Sequence, residues 1–223
     1  MIQFDKVSKI YSKNKRNIYS LKQIELKINK GEFLVVSGPS GSGKTTLLLT
    51  IGAMLKPTEG ILNIDNDNIY SLSERKLNEF RSARIGFIFQ MFHLIPYLNV
   101  IDNILLPPGK YNLKKANNLI STLNLEERKF FKPGELSAGE KQRLATARSL
   151  INDPDIILAD EPTGNLDPEN TAVIIKHLVD FNKMGKTIVL VTHGQESKHH
   201  ADRIVNLKKG EILTIENITG KAQ

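Results

Sequence analysis

The residues best suited to do chemistry form one run, Gly38-Pro39-Ser40-Gly41-Ser42-Gly43-Lys44-Thr45-Thr46. It lies between the apolar stretch Phe33-Leu34-Val35-Val36 and the helix-forming Leu47-Leu48-Leu49. Glycines at these positions let the backbone double back with its N–H groups pointing inward, and the helix that follows aims the positive end of its dipole at the same point. The product is a cradle for phosphate. At this spacing Lys44 reaches the β- and γ-phosphates of a nucleotide, and the Thr45 hydroxyl is placed to hold Mg²⁺.

Such a cradle must be carried by a buried strand, and the rest of the chain supplies more of them. Residues 33–36, 85–89, 156–159 and 187–191 are runs of mostly apolar residues, as expected of strands covered on both faces of a parallel sheet. Each ends on a polar or glycine residue: Gly38, Gln90, Asp160-Glu161 and His193. Helical patterns separate them, so the chain reads as an α/β domain whose site gathers at the C-terminal ends of its strands. Ser73 is placed to cap a helix over 74–84, and Asp167-Pro168 to open one that runs to Lys183 and closes at Gly185.

Residues 2–11 and 18–28 alternate apolar with polar side chains, the pattern of half-buried antiparallel strands, around a basic loop Lys13-Asn14-Lys15-Arg16-Asn17. Residues 61–64 add an edge strand, and 203–207 with 211–215 form a hairpin across Lys208-Lys209-Gly210. Between Gln90 and Leu136 the pattern changes. Residues 91–131 are expected to be a mostly helical insertion, with Leu113, Ala116, Leu119, Ile120 and Leu123 on one face of a helix reaching about Phe131.

Composition narrows the classes. The 223 residues contain no cysteine, so neither a disulfide framework nor a thiolate metal site is available. No apolar run approaches the ~20 residues needed to cross a bilayer. The first residues alternate like a strand rather than a targeting segment, and the eight residues after the last hairpin leave no room for a regulatory domain. Lys and Arg exceed Asp and Glu by 31 to 24, a net charge of +7. That excess suits a soluble basic surface, and no basic run interleaved with aromatics marks a nucleic-acid face.

Taken in order, the phosphate loop, Gln90, Leu136-Ser137-Ala138-Gly139-Glu140, Asp160-Glu161, Asn165-Leu166-Asp167 and His193 strongly resemble the ATP-binding-cassette (ABC) ATPases, over essentially the whole chain. The stretches Ile85-Gly86-Phe87-Ile88-Phe89-Gln90 and 158–167 resemble the lipoprotein-release and macrolide-export ATPases, and the bacterial cell-division ATPase is similar too. The resemblance implies a P-loop NTPase fold: a single domain over 1–223 with a central parallel sheet, an N-terminal antiparallel β subdomain and an α-helical lobe at about 91–150. It implies ATP and Mg²⁺ as ligands and ATP hydrolysis as the reaction.

Carried over residue by residue, the resemblance gives Asp160 and Thr45 to Mg²⁺, Glu161 to polarisation of the attacking water, and His193 to the γ-phosphate. Gln90 would touch Mg²⁺ or that water, and Tyr11 would stack on adenine. Ser137 and Gly139, at a helix start able to bind an anion, would serve the nucleotide of an opposite subunit, so the site would need a homodimer with ATP sandwiched at the seam, where Asp167 would also lie. Ala138 stands where the family has Gly and would be strained if its φ were positive. Gly194 stands where an acidic residue is common. His93, His177, His199 and His200 show no metal-ligand spacing. The function implied is a subunit on the cytoplasmic face of the membrane, powering a separate transmembrane permease that exports or extracts a lipid-linked or hydrophobic substrate. An alternative keeps the ATPase but transmits force to cell-envelope enzymes. A soluble nucleic-acid-linked cassette protein fits less well, because only 46 positions separate Gln90 from Leu136 and the chain holds one cassette.

Overall fold

A computed structural model describes residues 2–13, 16–109 and 112–218. Strands β1 (Ile2–Lys13) and β2 (Arg16–Ile28) pair antiparallel, with their register shifted near Lys6 and Gln23, both at φ 47°. The tip of the expected basic loop, Asn14-Lys15, lies outside the described residues. β3 (Phe33–Ser37) leads into the phosphate loop and α1 (Lys44–Ile51). β4 (Glu59–Ile64) and the short β5 (Asp67–Asn68) complete an antiparallel sheet in the order β2-β1-β4-β5.

After α2 (Glu74–Arg84), capped by Ser73 Oγ, comes β6 (Ile85–Phe89). The helices α3 (Val100–Leu105), α4 (Leu113–Thr122) and α5 (Ala138–Leu150) follow. Then β7 (Ile156–Asp160), α6 (Pro168–Lys183), β8 (Thr187–Val191), β9 (Arg203–Lys208) and β10 (Glu211–Asn217) finish the second sheet, ordered β10-β9-β3-β8-β7-β6. All its pairings are parallel except β9 with β10.

β3 lies inside this sheet and shows why its residues are all apolar. Leu34 and Val36 join the core shared with β1, β2, β4 and α1, whereas Phe33 and Val35 face the core built with α6 and β8. A third core gathers Val100, Ile104, Ala116, Ile120, Leu144 and Ala147 from α3, α4 and α5.

Two expectations are corrected. β6 is not buried on both faces: Gly86 and Ile88 are buried, but Ile85, Phe87 and Phe89 are only half covered because β6, like β10, lies at an edge of the sheet. The helix expected to reach Phe131 stops at Thr122, where Asn124 turns the chain at φ 53° and a single 3-10 turn (Glu126–Arg128) follows. The apolar stretch before α3 is organised by the buried Asn103. Its side chain accepts from Ile95 N at 2.8 Å and donates to the carbonyls of Ile95, Leu98 and Asn99 at 2.9–3.1 Å. Among the described residues no helix is long and apolar enough to cross a membrane.

Candidate active site

The phosphate loop runs between two backbones that leave no space for side chains. A Cβ on Gly38 (φ 148°) would stand 2.1 Å from the Leu207 carbonyl oxygen, and one on Gly43 (φ 105°) 2.2 Å from that of Ser20. Glycine is therefore required twice at these points, once by sterics and once by backbone conformation. Lys44 opens α1 and is buried; its Nζ donates to the carbonyls of Gly38 (2.8 Å) and Pro39 (3.1 Å). Thus the ammonium is held over the loop by the loop itself.

Beside it, Thr45 Oγ1 donates to Asp160 Oδ1 at 3.3 Å. Asp160 is the last residue of β7 and pairs with Phe89 and Val191 in the sheet. Burial raises its pKa above the usual carboxylate value; the neighbouring Glu161 adds to this, while the Thr45 hydrogen bond and Lys44 oppose it. A hydroxyl and a carboxylate side by side next to a phosphate cradle suit a hard cation that takes few protein oxygens and completes its shell with water and phosphate. The residues fit Mg²⁺.

Glu161 takes the left-handed conformation (φ 44°), and its N–H donates to Val191 O at 2.9 Å. This kink at the strand end points its carboxylate at His193, with Oε1 3.1 Å from Nε2. Glu161, His193, Ser20 and the phosphate loop line one cavity of about 210 Å³. Larger cavities, of about 330 to 530 Å³, lie elsewhere among the described residues and hold none of these groups. A carboxylate aligned by an imidazole at the mouth of a phosphate cradle can position a water and accept its proton.

Other residues named from the sequence stand apart from that cavity. Gln90 is exposed just beyond β6; its carbonyl accepts from Asn165 Nδ2 at 3.4 Å, and its amide packs against Gly164. Tyr11 is 44% exposed on β1, with Lys9 Nζ 5.4 Å from its ring centroid. Ser137 caps α5, its Oγ accepting from Glu140 N at 3.2 Å while Glu140 Oε2 accepts from Ser137 N at 2.7 Å. Ala138 has no positive φ; as the first residue of that helix it carries no strain. Gly194 donates its N–H to Thr192 Oγ1 at 2.9 Å.

Of the remaining histidines, the exposed His93 and the half-buried His177 pack against rings. His93 is edge-on to Phe89, and His177 stacks on Phe181 with its pKa lowered by burial. Sequence reasoning missed Ser20, brought to the cavity by the pairing of β2, and Arg148 on α5. The Arg148 guanidinium donates to the carbonyls of Phe92 (2.8 Å) and His93 (2.5 Å), just after Gln90. No local sequence pattern announces either contact.

Comparison with known proteins matches this geometry to a family. The family model described as ABC transporter matches residues 21–164. An ABC transporter ATP-binding protein of Methanocaldococcus jannaschii, MJ0796, is 42% identical over 99% of this chain and 98% of its own. A solved dimer of MJ0796, in a post-hydrolysis state bound to ADP and Pi, superposes with a TM-score of 0.92 at 40% identity, covering 99% of this chain and all of the other. The lipoprotein-releasing system ATP-binding protein LolD of Bacteroides fragilis is 39% identical over 96% of this chain and its entire length. The macrolide export ATP-binding/permease protein MacB of Bdellovibrio bacteriovorus is 41% identical over 98% of this chain, which spans 34% of MacB.

Proposed function

This chain belongs to the ABC transporter family as an ATP-binding, ATP-hydrolysing subunit, and from that premise we propose how its own residues divide the work. The single observation that carries the assignment is the Glu161–His193 pair, 3.1 Å apart over the phosphate loop. Gly38 to Thr46 hold the phosphates of ATP through inward-facing N–H groups. Lys44, now satisfied by the loop carbonyls, turns its ammonium to the β- and γ-phosphates. Thr45 and Asp160 would hold Mg²⁺, and Gln90, which stands apart from the cavity in the single chain, would be brought to the ion or to the attacking water; when bound, the ion would neutralise charge on the phosphate oxygens. Glu161 aligns a water and takes its proton as the γ-phosphoryl group leaves the ADP oxygen. His193 keeps Glu161 in place and contacts the γ-phosphate. Tyr11 stacks on adenine.

The site is completed by a second copy. Ser137 and Gly139 lie away from the cavity of their own chain and open a helix whose N-terminal amides suit an anion, so they serve the partner's ATP. The dimeric state of MJ0796 supports this arrangement. The domain spans 1–223, with residues 91–150 as its helical lobe. A separate membrane-spanning permease receives the work at the cytoplasmic face of the membrane. The combined ATP-binding/permease chain of MacB supports that pairing, and the lipoprotein-releasing and macrolide-export relatives support a lipid-linked or hydrophobic substrate.

The test is Glu161→Gln, which keeps the shape and removes the base. Purified variant should dimerise only with ATP by light scattering, and hydrolysis should fall by about 10²-fold or more. A variant that stays monomeric with ATP while wild type hydrolyses normally would sink the two-chain site.

A further inference from the structure

The starts of α5 and α6 lie side by side, and a single amide joins them. Asn170 sits in the first turn of α6, three residues past the cap Asp167. Its backbone N–H donates to Asp167 Oδ1 (2.8 Å) and its Nδ2 to Asp167 Oδ2 (2.7 Å). From α5, Arg143 donates to Asn170 Oδ1 at 3.2 Å. The same oxygen occupies the space a side chain would need at residue 139: a Cβ built on Gly139 would lie 2.0 Å from it. Gly139 is therefore glycine because Asn170 fills its place, a reason the sequence does not reveal.

The segment leading from Glu161 to this contact is stiff. Gly164 N donates to Glu161 O and Leu166 N to Thr163 O, both at 3.1 Å, so two tight turns join the catalytic carboxylate to Asp167. We propose that Asn170 is a positioning residue that locks Ser137 and Gly139 to the 161–167 segment. The face offered to the partner's ATP is then set by the state of the chain's own site. This inference rests on the two-chain reading above and adds the part that links the two sites.

The experiment uses Asn170→Ala in the full-length Glu161→Gln protein. The backbone N–H to Asp167 survives, so the helix cap remains. Asn170→Asp is a second variant of nearly equal volume: it keeps the acceptor for Arg143 but sets a carboxylate against Asp167. With saturating Mg-ATP, both should raise the dimer dissociation constant by about tenfold or more, because residues in one hydrogen-bond network are energetically coupled. A fluorescent ATP analogue, measured at protein concentrations too low for dimers, should bind within about twofold of the parent, because the phosphate loop is untouched.

Gly139→Ala should weaken the dimer as well. The double variant Gly139→Ala with Asn170→Ala should be no weaker than Gly139→Ala alone, because the clash is gone. A dimer constant unchanged by Asn170→Ala and Asn170→Asp, or Gly139 and Asn170 effects that simply multiply, overturns the inference while leaving the two-chain site standing. If Glu161→Gln alone fails to dimerise with ATP, the two-chain site falls and the lock falls with it.

Discussion

Placing alanine at Gly43 and, separately, at Gly41 splits the demands on the phosphate loop into two measurable parts. Gly41 has φ 74° and nothing within 4 Å of a built Cβ. Its alanine variant pays only for left-handed backbone, about 1–2 kcal/mol. Gly43 has φ 105°, and its Cβ would stand 2.2 Å from the Ser20 carbonyl oxygen. An ordinary contact needs more than 3 Å, so β2 or the loop must move by about 1 Å, an overpacking of a further ~1–3 kcal/mol. The totals are about 1–2 and 2–5 kcal/mol. In a chain of this size each ~1 kcal/mol lowers Tm by roughly 2–4 °C. Differential scanning fluorimetry without nucleotide should therefore show a drop of about 2–8 °C for Gly41→Ala and a larger one, about 4–20 °C, for Gly43→Ala. Equal drops, or a milder effect at Gly43, would refute the claim that the loop is wedged against β2.

Two further outcomes follow from single residues. Asp160 has a raised pKa because its buried carboxyl resists ionisation. The folded state thus holds its proton more tightly than the unfolded chain does, and the penalty is full above the folded pKa, fades as pH falls through it and is absent below the unfolded value. Asp160→Asn should melt higher than wild type near neutral pH without ligand and lose that advantage in acid; a lower Tm at pH 7.5 contradicts the burial argument. Arg148→Met leaves the Phe92 and His93 carbonyls without their donor and should reduce unfolding free energy by about 1–2 kcal/mol, since water can reach the exposed His93 carbonyl. A loss under about 0.5 kcal/mol in a urea titration would show that the guanidinium does not hold the segment after Gln90.

What was legible in the sequence was whatever repeats locally. Four apolar runs with polar ends gave the sheet and placed Lys44, Asp160, Glu161 and His193 at one edge of it. Caps such as Ser73 and Asp167 marked helix starts to the residue. What stayed hidden depends on contacts between distant segments. The edge position of β6 follows from strand order, which hydrophobicity does not encode. The early end of α4 turns on Asn124 adopting a left-handed conformation amid a pattern that continues past it. Asn103, Arg148 and Asn170 act through backbone or side-chain partners that no spacing rule points to. Even Gly139, named from the sequence for its place at a helix start, owes its lack of side chain to a residue 31 positions later.

The place of β3 also governs how the chain is made. Val36 pairs with Val191 on one side and Val205 on the other, so both its neighbours are synthesised more than 150 residues later. At about 5–20 residues per second the ribosome needs roughly 10–30 s to deliver them. The antiparallel strands β1, β2 and β4 and helix α1 emerge early and can shelter Leu34 and Val36. Phe33 and Val35 face the other way, toward α6 and β8. During translation one side of the future nucleotide-binding strand is covered while its other side stays sticky, and that interval is when a chaperone has something to hold.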